Sequence, residues 1–99
     1  MKGKITLPKQ VNGINVNYVM ATSTIIGPNT EVTHIFWENG AVLNAYGYEA
    51  FRNWTSLKYT EIPYNPAGFT VGQRCYAGCS NLFNGISQDT VDEFFSHIT

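Results

Sequence analysis

The chain has 99 residues, the size of one domain with a core of its own. Apolar residues make up 43% of it and aromatics 14%, which excludes a disordered chain, whereas charged residues are only 13%, about half the usual share. The net charge is −1 with no basic run, so nucleic acid is not an expected partner.

No apolar run approaches the ~20 residues of a membrane span. The opening stretch, Met1 to Pro8, lacks the apolar core of a signal peptide. A cytoplasmic chain is therefore expected. In that setting Asn53-Trp54-Thr55 is a chance match to the glycosylation sequon, and Cys75 and Cys79 are free thiols.

Two Asn-Gly dipeptides sit inside alternating apolar runs. Asn12-Gly13 lies between Lys4–Val11 and Ile14–Met20, and Asn39-Gly40 lies between Thr33–Trp37 and Val42–Tyr48. A type I′ turn needs positive φ at both central residues, so each dipeptide predicts a hairpin. The first would pair Val11 with Ile14, Leu7 with Tyr18 and Ile5 with Met20. The second would pair Trp37 with Val42 and Ile35 with Asn44. Gly27-Pro28-Asn29-Thr30 reads as the turn between them.

Period-two alternation then gives one core face of Ile5, Leu7, Val16, Tyr18, Met20, Ile35, Trp37, Val42 and Tyr46. The opposite face would carry Val19, Ala21, Ile25, Val32, His34, Phe36, Leu43, Ala45 and Gly47. That face is too apolar to stand in water. Together with the low charge it predicts an interface centred on Val32, His34, Phe36 and Leu43, and a homo-oligomer.

Ala50, Phe51, Trp54 and Leu57 form a stripe at helical spacing and predict a helix over about 49–58. Thr90 and Glu93 resemble a capping box, with Val91, Phe94, Phe95 and Ile98 on one face, so a second helix is predicted over 90–98. Thr60–Ile62 and Phe69–Val71 read as short strands, and the rest of Tyr59 to Ser87 as loop. No internal repeat is evident. The expected fold is α+β in a single domain, 1–99: an antiparallel β-meander sheet of four or more strands with one or two short helices.

The sequence advertises little chemistry. Cys75 and Cys79 have three residues between them and no second pair, which is not zinc-knuckle spacing even with His34 or His97 as helpers. A nucleophilic cysteine beside His34 or Arg74 has no signature behind it. His34 reads as a structural residue of a strand. His97, Asp89, Asp92 and Glu93 read as helix-end electrostatics. No catalytic residue, metal site or cofactor is expected.

The remaining lead is aromatic. Tyr and Trp offer large contact area, few rotors and one polar handle, and favour interfaces. Trp54, Tyr59, Tyr64 and Tyr76, with Arg74, are the candidate binding residues. The first expectation is a non-enzymatic protein-binding module, a small oligomeric inhibitor or adaptor of the kind that phages and mobile elements encode. The alternative is a small-ligand binder, for instance of a nucleotide, with an aromatic pocket under the Tyr59–Ser87 loop. A small enzyme with an unadvertised site comes third.

Overall fold

The computed structural model describes residues 1–20 and 27–99. Its strands are β1 (Gly3–Leu7), β2 (Gln10–Val11), β3 (Ile14–Asn15), β4 (Tyr18–Val19), β5 (Val32–Trp37), β6 (Ala45–Tyr46), β7 (Tyr59–Thr60) and β8 (Thr70–Val71). Among the described residues one helix, α1 (Gln88–Ser96), follows. Two sheets of three strands, β1-β5-β7 and β4-β6-β8, are parallel throughout. Among the described residues only β2 and β3 pair antiparallel. The expected antiparallel meander is therefore wrong: most of the pairing is parallel, and strands pair with the next turn of the chain rather than with their neighbours in sequence.

The geometry is that of a short solenoid. His34 pairs with Tyr59 and Ile35 with Thr60, while Ala45 pairs with Thr70 and Tyr46 with Val71. Every one of these pairs is separated by the same 25 positions in the sequence. The segments between strands keep nearly the same spacing. Phe51 donates its N–H to the Cys75 carbonyl at 2.8 Å, Asn53 to Ala77 at 2.7 Å and Phe83 to Lys58 at 2.6 Å. A coil of this length stacked on its neighbour is one repeat unit, so the absence of an internal repeat is corrected as well.

The corners repeat too. Glu49 (φ 53°) and Arg74 (φ 60°) occupy equivalent left-handed positions, as do Asn53 (φ 63°) and Gly78 (φ 77°). These positive φ values break the predicted helix over 49–58, which is a run of turns instead. The apolar stripe was real but has another cause. Ala50, Phe51, Trp54 and Leu57 point inward from the coil and are all buried. Their counterparts one coil later are Cys75, Tyr76, Cys79 and Leu82. The Phe51 and Tyr76 rings stack at 5.8 Å and 16°.

Asn12-Gly13 does make a hairpin turn, with both φ positive (53° and 77°) and Val11 opposite Ile14. The hairpin pairing continues through Gln10 and Asn15, and the Val16 N–H donates to the Lys9 carbonyl at 2.9 Å, but it reaches no further back along β1. Ile5 and Leu7 pair instead with Ile35 and Trp37 of β5. At Asn39-Gly40 only Gly40 has positive φ (86°), and Ala41 donates to the Glu38 carbonyl at 3.1 Å. That turn is a corner of the coil, and the strands on either side of it belong to different sheets.

The core combines inward residues of both sheets with the turn segments: Val32, Ile35, Leu43, Tyr46, Phe51, Leu57, Ile62 and Phe69 are all nearly inaccessible. Of the predicted core face, Ile35, Trp37 and Tyr46 are buried, but Tyr18, Met20 and Val42 are exposed. Ala21 and Ile25, expected on the second face, lie outside the described residues. Helix α1 begins at Ser87, whose hydroxyl accepts the Thr90 N–H, rather than at Thr90. Phe94 faces inward and meets Tyr59, Tyr76 and Phe83. Thr99 exchanges hydrogen bonds with the Phe69 backbone, so the helix and tail close the last coil.

Candidate functional site

The five candidate binding residues do not form one cluster. Trp54 is buried against Phe51, and its indole N–H has no hydrogen-bond partner among the described residues. Tyr59 is buried under Phe94. Tyr76 is half-buried, with its hydroxyl 2.6 Å from the Thr60 hydroxyl. Arg74 is exposed at its left-handed corner. Tyr64 is the outward-facing aromatic of the set, 67% exposed.

The expected interface residues separate as well. Val32 and Leu43 are fully buried in the core. His34 and Phe36 are half-buried on the outer face of the β1-β5-β7 sheet, their rings stacked at 6.1 Å. His34 is held below the usual histidine range, first by burial and then by the nearby Lys4 and Lys58.

Tyr64 stands on a ridge with Pro63, and a cleft opens on each side of it. One, of about 140 Å³, is lined by Tyr59, Glu61, Ile62, Glu93, Phe94 and His97. The other, of about 190 Å³, is lined by Trp37, Glu38, Asn39, Gly40, Ala41 and again Glu61. The sequence brings these groups together through the coil. Glu61 follows β7, Glu38 follows β5 one coil earlier, and α1 folds Glu93 and His97 across the last coil.

Hydrogen bonds fix the walls. The Trp37 N–H donates to Glu61 Oε1 at 2.8 Å, and the Trp37 indole N–H donates to the Tyr46 hydroxyl, also at 2.8 Å. The Tyr46 hydroxyl in turn donates to the Glu61 carbonyl. Burial raises the Tyr46 phenol far above its usual range, so it remains a donor. His97 Nδ1 lies 2.7 Å from the Ile62 carbonyl. A carbonyl only accepts, so Nδ1 carries the proton. Nε2 is then turned toward Glu93, 3.9 Å from its carboxylate, with the Tyr64 ring edge-on to the imidazole at 5.6 Å. The groove thus offers an exposed aromatic ring, a proline ridge and the carboxylates of Glu38, Glu61 and Glu93.

A third cleft, of about 230 Å³, lies between the β2–β3 hairpin and the Gly40–Asn44 corner. All three volumes fall below the ~300–1,000 Å³ typical of small-molecule pockets.

The cysteines are packing residues. Cys75 replaces Ala50 and Cys79 replaces Trp54 in successive coils. Burial pushes the Cys75 thiol up to about 12 and raises Cys79 as well. A thiol kept protonated is a poor nucleophile and a poor metal ligand. Among the described residues no group of three His, Cys, Asp or Glu side chains could hold a metal ion. No described helix is long and apolar enough to cross a membrane.

The fold and groove define a class, a short parallel solenoid with an acidic, aromatic groove on its surface. Comparison with protein-family models, with curated proteins and with solved structures gives no match.

Proposed function

We propose that this chain is a non-enzymatic protein-binding module that holds an extended segment of a partner along the Pro63–Tyr64 ridge. The observation that carries the reading is Tyr64: a large ring left 67% exposed, with a cleft on either side. A solvated tyrosine there contributes nothing to the core, whereas rigid aromatic anchors dominate binding surfaces. Glu38, Glu61 and Glu93 favour a partner segment bearing Lys or Arg, which would also lie well over the Tyr64 face. Solenoids use their repeated surfaces for such contacts. The small cleft volumes speak for a polypeptide contact rather than an enclosed small ligand. The free thiols of Cys75 and Cys79 suit a reducing compartment, in keeping with a cytoplasmic protein.

The test is a peptide selection. A displayed library panned on the immobilised chain should enrich basic extended sequences. Titrating an enriched peptide into labelled protein should move amide resonances at residues 37–41, 61–64 and 97. Tyr64→Ala should weaken binding by more than ~1 kcal/mol with an unchanged melting temperature. Resonance shifts confined to other surfaces would refute the reading.

A further inference from the structure

The two ends of the stack are unlike. At the C-terminal end α1 seals the last coil, and its inward Phe94 is buried. At the N-terminal end the inward side chains are only half-covered. Ile5, Leu7 and Val19 are half-buried, while Ile35, Trp37 and Tyr46, paired with them one coil later, are buried. Tyr18 and Met20, 54% and 51% exposed, stand beside them. Among the described residues the backbone is open on this side too. β1 and β4 are the terminal strands of their sheets among the described residues. The Leu7 carbonyl accepts the Glu38 N–H from the β5 side, so strand alternation turns the Lys4 and Thr6 backbone groups to the outer edge.

Charge divides the same way. Residues 1–30 contain Lys2, Lys4 and Lys9 and no carboxylate. Beyond Arg74 the chain has no Lys or Arg, and α1 carries Asp89, Asp92 and Glu93, all exposed, together with the exposed Phe95. The open apolar end carries Lys2 and Lys4, partly offset by Glu31 beside Gly3, and the closed end carries the three carboxylates of α1; the two lie at opposite edges of one stack.

We propose that the N-terminal end docks the α1 end of a second copy of this chain, so that copies associate head to tail. Two N-terminal ends brought together would hide the same apolar groups but oppose lysine to lysine, whereas head-to-tail docking pairs each lysine rim with a carboxylate rim. A heterologous contact of this kind does not close on itself, so the series stays open unless its rotation completes a ring. The two surfaces share Glu93, which also lines a cleft beside Tyr64, but Lys2, Lys4, Asp89 and Asp92 lie outside that cleft's lining, so variants there test this inference apart from the peptide reading.

Sedimentation velocity of the full chain from ~10 μM to ~1 mM covers the range in which weak contacts dissociate. The mean mass should climb from the 11.0 kDa monomer past the dimer. It should fall back as salt shortens the Debye length from ~30 Å at ~0.01 M to ~3 Å at ~1 M. Lys2→Glu with Lys4→Glu makes both ends acidic, and Asp89→Lys with Asp92→Lys makes both ends basic. Each double variant alone should associate about tenfold more weakly, and an equimolar mixture should recover association. Circular dichroism checks that both fold. If either does not, the concentration and salt series on the unchanged chain decides. A monomer at every concentration overturns the proposal. So does a mass that stops at the dimer and grows firmer with salt, the mark of head-to-head docking. Association of the single-end variants at unchanged strength also overturns it.

Discussion

A Cβ placed on Gly72 would lie 2.6 Å from the carbonyl carbon of Gly47, its counterpart one coil earlier. The obstacle is main chain, which cannot swing aside as a long side chain would. Gly47 in turn would place a Cβ 2.9 Å from the Cβ of Met20. These contacts set how closely successive coils stack. Gly72→Ala should push the coils apart and cost roughly 1–3 kcal/mol. For a domain this size the melting temperature should drop by about 4–8 °C per kcal/mol. An unchanged melting temperature would show that the coils have slack at this point.

Buried acids give the fold an alkaline limit. Burial lifts the Cys75 thiol from 9.0 to about 12, and it also raises the phenols of Tyr59 and Tyr76. In each case the folded pKa lies above the unfolded one. The stability from keeping the thiol neutral is therefore fully present below about pH 9. It is lost as pH rises toward about 12, because the unfolded chain ionises first. A melting-temperature series should be level from neutral pH to about 9 and then decline. Cys75→Ala should soften the first part of that decline. A Cys75 that reacts with iodoacetamide in the native protein as fast as a free thiol would contradict the assignment.

The turn at Asn12-Gly13 was legible in the sequence and the pairings were not. Asn12-Gly13 announces positive φ, and the structure has it. But alternation says only that a strand has two faces, not which strand lies beside it. Ile5 and Leu7 alternate as well for β5, their parallel neighbour, as they would for the predicted antiparallel one. The missing signal was the 25-residue spacing. It is faint because Gly47/Gly72 and Leu57/Leu82 are the identical pairs between residues 46–58 and 71–83. The matching corners hide behind dissimilar side chains, Glu49 against Arg74 and Asn53 against Gly78. Inward positions drift too, with Trp54 replaced by Cys79. Tyr64 was recognisable as a candidate, but its cleft depends on α1 crossing the last coil. No local pattern carries that information.

The hairpin tip should be nearly independent of the core. Val11 and Ile14 are 54% and 73% exposed, and β2 and β3 have two residues each. Asn12→Pro removes the positive φ that the turn requires. It should abolish the cross-strand contacts between Gln10 and Asn15 in nuclear Overhauser spectra. The stability loss should be small beside that of deleting a core ring, because the side chains this turn holds are exposed. A large drop in melting temperature would mean that the hairpin supports the open N-terminal end more than its exposure implies.

Helix α1 supplies the last prediction, because two adjacent phenylalanines on it have opposite surroundings. Phe94 is 3% exposed and meets Tyr59, Tyr76 and Phe83; Phe95 is 57% exposed. Phe94→Ala should cost about 3–5 kcal/mol, the range for deleting a buried ring, which is a large part of the stability of a chain this short. Phe95→Ala should shift the melting temperature little. The cap separates the two readings of where the helix begins. Ser87 accepts the Thr90 N–H, so Ser87→Ala should cost ~1 kcal/mol. Thr90→Ala should cost less, since Thr90 supplies that N–H from its backbone and loses only a hydroxyl contact with Ser87. If Thr90→Ala proves the more damaging of the pair, the helix begins at Thr90, and the position of Phe94 over the last coil would have to shift with it.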